Sequence, residues 1–274
     1  MPEPGLRDLY LRDDVAGLFA DAPLTRAFAL EGEVVRSVAG RETLRLQLQT
    51  GVYYLKRHRG VGLAEVLKNL LVGKMPVLGA RNEFETCRLL EAQGLPAPRV
   101  AAFAESTGAP QSRCSFVLCD ALLGYEDLEV RTLPWLTAAP SSREIRDLVT
   151  RIALCARDLH EAGVAHRDFY LCHLLAHEDP GQRRLAVLDL HRARIFSTLP
   201  ESWRRKDLAA LLYSSLDLPV DRRSWLRFVR LYSGKPLKVA FREDGAFWQA
   251  VYDRACELYE KGTRKGLTAG RFKG

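Results

Sequence analysis

Strict alternation marks the first readable element. Leu44, Leu46 and Leu48 fall on one face, and Arg45, Gln47 and Gln49 on the other. This is the period-2 pattern of a half-buried strand. Gly40 and the Thr50-Gly51 pair punctuate the stretch as turns. Together they predict a three-stranded antiparallel meander that ends at residues 52–56. Residues 1–30 hold no sustained period. With Pro2, Pro4 and Pro23 set among charges, they read as an arm with one short helix. Beyond the meander the spacing turns helical, with Leu63, Val66, Leu67 and Leu70 over residues 63–72, then Phe84, Cys87 and Leu90 over residues 82–93, where Gly94 stops the helix. Residues 115–119 (SFVLC) are a short apolar strand, and residues 121–140 are irregular.

The second half is mainly helical. Ile145, Leu148, Ile152 and Leu159 form one stripe over residues 143–162, closed by Gly163. A short strand over 184–190 (RLAVLDL) is followed by helices over 207–216, 225–232 and 246–261. The pattern is therefore α+β and bilobal. It comprises an arm (1–30), a strand-rich N-lobe (31–120), a helical C-lobe (121–260) and a basic, flexible, Gly-rich tail (261–274). A cleft between two such lobes is the expected ligand site.

Composition narrows the class. A chain of 274 residues that is 47% hydrophobic and 27% charged is not disordered, collagenous or coiled-coil. The formal charge of +7 favours anionic partners: phosphates, nucleic acid, acidic proteins or an anionic membrane surface. No nucleic-acid fingerprint accompanies it, so no nucleic-acid partner is expected. The six cysteines form no C-x-x-C pair and read as free thiols of a reducing compartment. No signal peptide and no apolar run of roughly 18 residues is present, so a cytoplasmic protein is expected.

The chemistry concentrates in VAHRDFYLCHLL. His166-Arg167-Asp168 follows a long amphipathic helix, and about twenty residues later a strand delivers Asp189. That order is the catalytic core of the protein-kinase fold. Upstream, Lys56 ends a strand and Glu83 opens a helix, matching that fold's Lys–Glu pair. In this reading Asp168 takes the proton of the attacking hydroxyl, Asp189 holds Mg2+, and Lys56, aimed by Glu83, grips the phosphates of ATP. Asp207 either caps the helix that follows it or braces the H-R-D loop, supporting His166 and Arg167, by accepting backbone N–H bonds.

Each residue also has a plainer reading. H-R-D alone is a common tripeptide, Lys56 lies in a basic KRHR run, Asp189 ends a strand, and Glu83 suits any helix dipole. Only their order and contexts together favour a kinase. Two departures stand out. The catalytic-loop position expected to be Asn is His173, which leaves metal binding, phosphate donation and packing all open to it. Asp189 is followed by Leu190-His191 rather than Phe-Gly, and no G-x-G-x-x-G is present. The phosphate-covering loop then falls to the turn over residues 36–43, with Gly40 its only glycine.

HRDFYLCHLL, with LDLHRA downstream and KRHRGVG and PVLGARNEF upstream, resembles the lipopolysaccharide core heptose kinases of the WaaP (RfaP) type over residues 30–216. The resemblance implies ATP-dependent phosphorylation of the first inner-core heptose, at O4, through Lys56, Glu83, Asp168, His173 and Asp189. It makes His173 a family trait. The implied acceptor, a lipid A–Kdo–heptose core rich in phosphate and carboxylate, suits two basic groups. One is Arg57, His58, Arg59, Lys68, Lys74 and Arg81; the other is Arg192, Arg194, Arg204, Arg205 and Lys206. For any single one of these residues a solvated face is the plainer reading. An acyl carrier protein is a further implied partner. Peripheral contact with the inner face of the inner membrane through residues 63–72 and the tail is an expectation of the charge. The alternatives are another kinase of this fold acting on Kdo, the second heptose or a small molecule, and a pseudokinase scaffold. The absence of A-P-E between Asp189 and Asp207 disfavours a protein substrate.

Overall fold

The computed structural model describes residues 5–38, 40–60, 79–109 and 112–264. The chain divides into two units. One comprises Met1–Ala92, Pro98–Leu123 and Leu190–Arg192; the other comprises Gln93–Ala97, Gly124–Asp189 and Ala193–Gly274. The predicted helix over 63–72, Lys68, Lys74 and residues 265–274 of the predicted tail lie outside the described residues.

The first unit is built on a six-stranded antiparallel sheet. Its strands are Leu6–Leu11 (β1), Glu33–Val38 (β2), Arg41–Leu48 (β3), Gly51–His58 (β4), Val100–Ser106 (β5) and Ser115–Asp120 (β6), in spatial order β1-β5-β6-β4-β3-β2. The predicted meander is β2-β3-β4, paired so that Leu44 faces Leu55 and Leu46 faces Tyr53. Leu44, Leu46, Tyr53 and Leu55 are buried, as the alternation requires. Two helices, Asp13–Phe19 (α1) and Pro23–Ala29 (α2), cover that face with Val15, Phe19, Leu24 and Ala27. Val15, Phe19 and Leu24 each contribute roughly 1.5–3 kcal/mol. The N-terminal stretch is thus a strand and two helices, not an arm with one short helix. Arg12 secures it with a forked contact to Asp120 at 2.7 and 2.9 Å. Arg81–Ala92 (α3) follows, with Glu83, Cys87 and Leu90 buried.

The second unit is mainly helical. Residues 121–140, read as irregular, contain a strand, Tyr125–Asp127 (β7), a short helix, Leu128–Thr132 (α4), capped by Asp127, and a 3-10 turn, Leu133–Leu136. Ser142–Glu161 (α5) begins with a capping box between Ser141 and Glu144. It ends at Gly163, whose φ is +78° and whose Cβ position lies only 2.1 Å from the Phe196 carbonyl oxygen, so no other residue fits there. Val164–Ala165 (β8) pairs with Arg194–Ile195 (β11), while Leu174–His177 (β9) pairs with both Ala186–Val187 (β10) and β7. The strand predicted over 184–190 is only the two residues of β10. Glu201–Ser215 (α6), Arg222–Ser233 (α7) and Leu237–Arg264 (α8) complete the unit, α8 breaking at Asp244. Helix α6 starts six residues before Asp207, so Asp207 is buried mid-helix and caps nothing.

Candidate active site

In the first unit, Lys56 lies on β4 between Thr43 and Val117 of the neighbouring strands. Its ammonium donates to Glu83 Oε1 at 2.5 Å, with the two side chains 13% and 3% exposed. A lysine and a glutamate 27 positions apart meet because the sheet buries one and the first turn of α3 buries the other. A buried pair of this kind is fragile: removal of one partner strands the other's charge. Gly40 forms the β2–β3 turn at φ +75°, and its carbonyl accepts from the Arg59 N–H at 2.8 Å. Three members of the first basic group are not a solvated face. Arg57 is buried, bonded to Glu42 at 3.2 Å and to the Leu30 carbonyl. His58 is buried, and burial, with Arg41, Lys56 and His191 adding repulsion, pushes its pKa down to about 3. Arg81 is tied to Glu105 at 2.7 Å and Asp8 at 3.0 Å.

In the second unit the H-R-D loop leaves β8 over the buried Asp207. Asp207 Oδ2 accepts the His166 N–H at 2.6 Å, and Oδ1 accepts the Arg167 N–H at 2.8 Å. Of its two sequence readings, the loop brace is the geometry found. The two bonds hold Arg167 at φ +74°, a left-handed conformation costing an L-residue roughly 1–2 kcal/mol. His166 is fully buried. Its Nε2–H donates to the Leu188 carbonyl at 2.9 Å, and its Nδ1 accepts the Asp168 N–H at 3.3 Å. Burial lowers its pKa, in keeping with a neutral ring that accepts on one side. The His173 ring stacks on it at 5.5 Å.

His173 Nδ1–H donates to the Asp168 carbonyl at 2.6 Å, and Nε2 is the nitrogen at the far side of the ring. That nitrogen lies 3.8 Å from Asp189 Oδ2, too far for a hydrogen bond. Asp189 itself is left-handed, at φ +60°. Among the described residues no group of three His, Cys, Asp or Glu side chains could hold a metal ion. Asp189 offers an oxygen ligand of the kind taken by an ion that keeps waters and draws its other ligands from phosphates, as Mg2+ does, and the His173 ring stands beside it. Sequence reasoning missed His160. Its Nδ1 lies 2.8 Å from the Tyr232 hydroxyl and its Nε2 3.5 Å from Asp207 Oδ2, behind the brace. Its place in the last turn of α5, seven residues before the H-R-D arginine, was the available signal.

The second unit also holds an apolar cavity of about 510 Å³, lined by Leu148, Ile152, Leu211, Trp225 and Phe228 among others. No helix among the described residues is long and apolar enough to cross a membrane.

A lysine–glutamate pair on a β-rich unit, with an H-R-D loop braced from a helix and followed by a metal-type aspartate, defines a protein-kinase-like phosphotransferase. The BubR1 kinase domain shares the fold at TM-score 0.50 and 13% identity, covering 82% of this chain and 83% of that one. The sequence model of the Lipopolysaccharide kinase (Kdo/WaaP) family matches residues 26–232, and the chain belongs to that family. It is 40% identical over 248 residues to the lipopolysaccharide core heptose(I) kinase WaaP of Pseudomonas aeruginosa, covering 89% of this chain and 92% of that one. The protein of the same name in Escherichia coli K12 is 36% identical over 244 residues, covering 87% and 91%. A solved structure described as WaaP in complex with acyl carrier protein superposes at TM-score 0.79 with 35% identity, covering 92% of this chain and 99% of that one. The enzyme is a kinase with an alcohol acceptor, and kinase membership carries ATP use with it.

Proposed function

We propose that the chain phosphorylates the first heptose of the lipopolysaccharide core, at the O4 hydroxyl implied by the sequence resemblance. The observation that carries this reading is the Asp207-braced H-R-D loop, with His173 bonded to the Asp168 carbonyl and turned toward Asp189. Asp168 takes the proton as the sugar oxygen bonds to the γ-phosphorus and the bond to ADP breaks. Lys56, fixed by Glu83, holds the nucleotide's phosphates, and the Gly40 turn lies over them. Asp189 and His173 are the residues that would hold Mg2+, which when bound offsets phosphate charge. His166, Arg167 and Asp207 keep Asp168 in place.

An acyl carrier protein is proposed as a partner, as for the relative solved with one. The charge of +7 suits its acidic surface, and the apolar cavity offers room for the chain it carries. The same charge favours a cytoplasmic protein that touches the anionic inner face of the membrane.

The test is transfer from ATP to a purified core acceptor ending at heptose. Asp168→Asn should abolish transfer and leave the thermal midpoint unchanged. Transfer unaffected by that change defeats the assignment of the base.

A further inference from the structure

Trp203 sits in the first turn of α6, and three cations lie over its ring. Lys206 Nζ is 4.4 Å from the ring centroid, the Arg167 guanidinium 5.5 Å and the Arg194 guanidinium 5.8 Å. They come from separate elements of the second unit: the H-R-D loop, β11, and α6 one turn beyond Trp203. Phe196, at 6.1 Å between centroids, flanks the indole.

Several arginines elsewhere are matched with acids, as Arg12, Arg81 and Arg184 are. Arg194 and Lys206 are exposed, and among the described residues neither has a carboxylate within ion-pair distance. An indole face attracts cations but neutralises none of their charge. Like charges gathered on one ring build a local positive potential that an anion relieves. Arginine adds a planar fork that matches phosphate or carboxylate, and lysine adds a point charge.

The location is specific. Arg194 pairs in register with Ala165 at the entry to the H-R-D loop, and Arg167 immediately precedes Asp168. An anion held here is held on the elements that lead into and form the H-R-D loop. We infer that the Trp203 cluster is an anion subsite for the acceptor, taking a phosphate or carboxylate carried by the glycolipid near the hydroxyl being phosphorylated. This rests on the kinase reading above and deepens it.

The test uses the full chain as wild type, as Arg194→Gln/Lys206→Gln, and as the charge-conserving Arg194→Lys/Lys206→Arg. Each is assayed with ATP on the intact core acceptor, on dephosphorylated acceptor and on carboxyl-reduced acceptor. The acceptor KM of the Gln pair should rise about tenfold for each charge removed, with the KM for ATP unmoved and the conservative pair close to wild type. The penalty should vanish on whichever treated acceptor lacks the group that binds, which separates phosphate from carboxylate. A wild-type acceptor KM in the Gln pair overturns the inference and leaves the kinase reading standing. A rise in the KM for ATP instead assigns the cluster to nucleotide and also overturns it. If the wild-type chain transfers no phosphate, the kinase reading fails separately, and calorimetric titration of the acceptor decides. A loss of about a hundredfold in affinity in the Gln pair then supports the subsite, and equal affinities overturn it.

Discussion

Asp207→Asn tests the brace most directly. The carboxylate is buried and accepts two backbone N–H bonds, at 2.6 and 2.8 Å, one to each oxygen. An amide of the same shape keeps one acceptor and turns an NH2 group toward the other N–H. One charge-assisted bond, at about 1.5–3 kcal/mol, is lost outright, and the survivor weakens to an ordinary bond of about 1 kcal/mol. The net cost is about 2–5 kcal/mol. At roughly 2–4 °C per kcal/mol for a chain of this size, the thermal midpoint should fall by about 4–20 °C. Released from the carboxylate, Arg167 relaxes from φ +74° and carries Asp168 with it. At a temperature where the variant is fully folded, kcat should therefore fall more than tenfold while the KM for ATP, assigned by the proposed function to Lys56 in the other unit, changes little. Calorimetry and initial rates measure both. A variant with an unchanged midpoint and unchanged kcat would refute the brace.

The remaining predictions are shorter. Gly163→Ala places a Cβ 2.1 Å from the Phe196 carbonyl at φ +78°, so it should unfold at markedly lower urea than wild type; an unchanged urea midpoint would contradict the close approach. Lys56→Met leaves the Glu83 carboxylate buried without its ammonium and should cost about 3–5 kcal/mol, most of it recovered in Lys56→Met/Glu83→Gln without restoring nucleotide use. A double variant as unstable as the single one would remove that explanation. His58 and His166 have lowered pKa values in the folded chain, so the unfolded chain binds more protons below about pH 6.5. Their stabilising contribution is complete above that pH and shrinks as pH falls toward the folded values. His58 alone should lower the unfolding free energy from urea titrations by about 1 kcal/mol between pH 6.5 and 5.5, with His166 acting in the same direction, and a flat profile would sink the claim.

The meander was legible because its side chains alternate across a sheet with one buried face. Strand β1 was not: Leu6, Leu9 and Leu11 break the alternation at a register shift, and its partner β5 is about a hundred residues away. The start of α6 was hidden because its first six residues are mostly charged and exposed or half-buried, which made Asp207 look like a cap. The Lys56–Glu83 pair, and the contacts of His166 and His173 with the Asp168 backbone, join residues that order and context together had singled out, since the H-R-D spacing reflects a fixed backbone path. Which of Arg57, His58 and Arg59 points inward was not readable from KRHR. Strand alternation buries His58 with Lys56, while Arg57 is covered on the opposite face by the carbonyl at the end of α2. The Trp203 cluster draws on three separate elements and exists only in three dimensions.

Two non-glycine residues, Arg167 and Asp189, sit in the backbone region that glycine occupies without penalty. Glycine at either position would ease local strain and remove, in the same step, a side chain with a proposed role in the reaction. A selection run for heat tolerance alone would therefore favour losing those side chains, and any evolution campaign on this scaffold has to score turnover alongside melting.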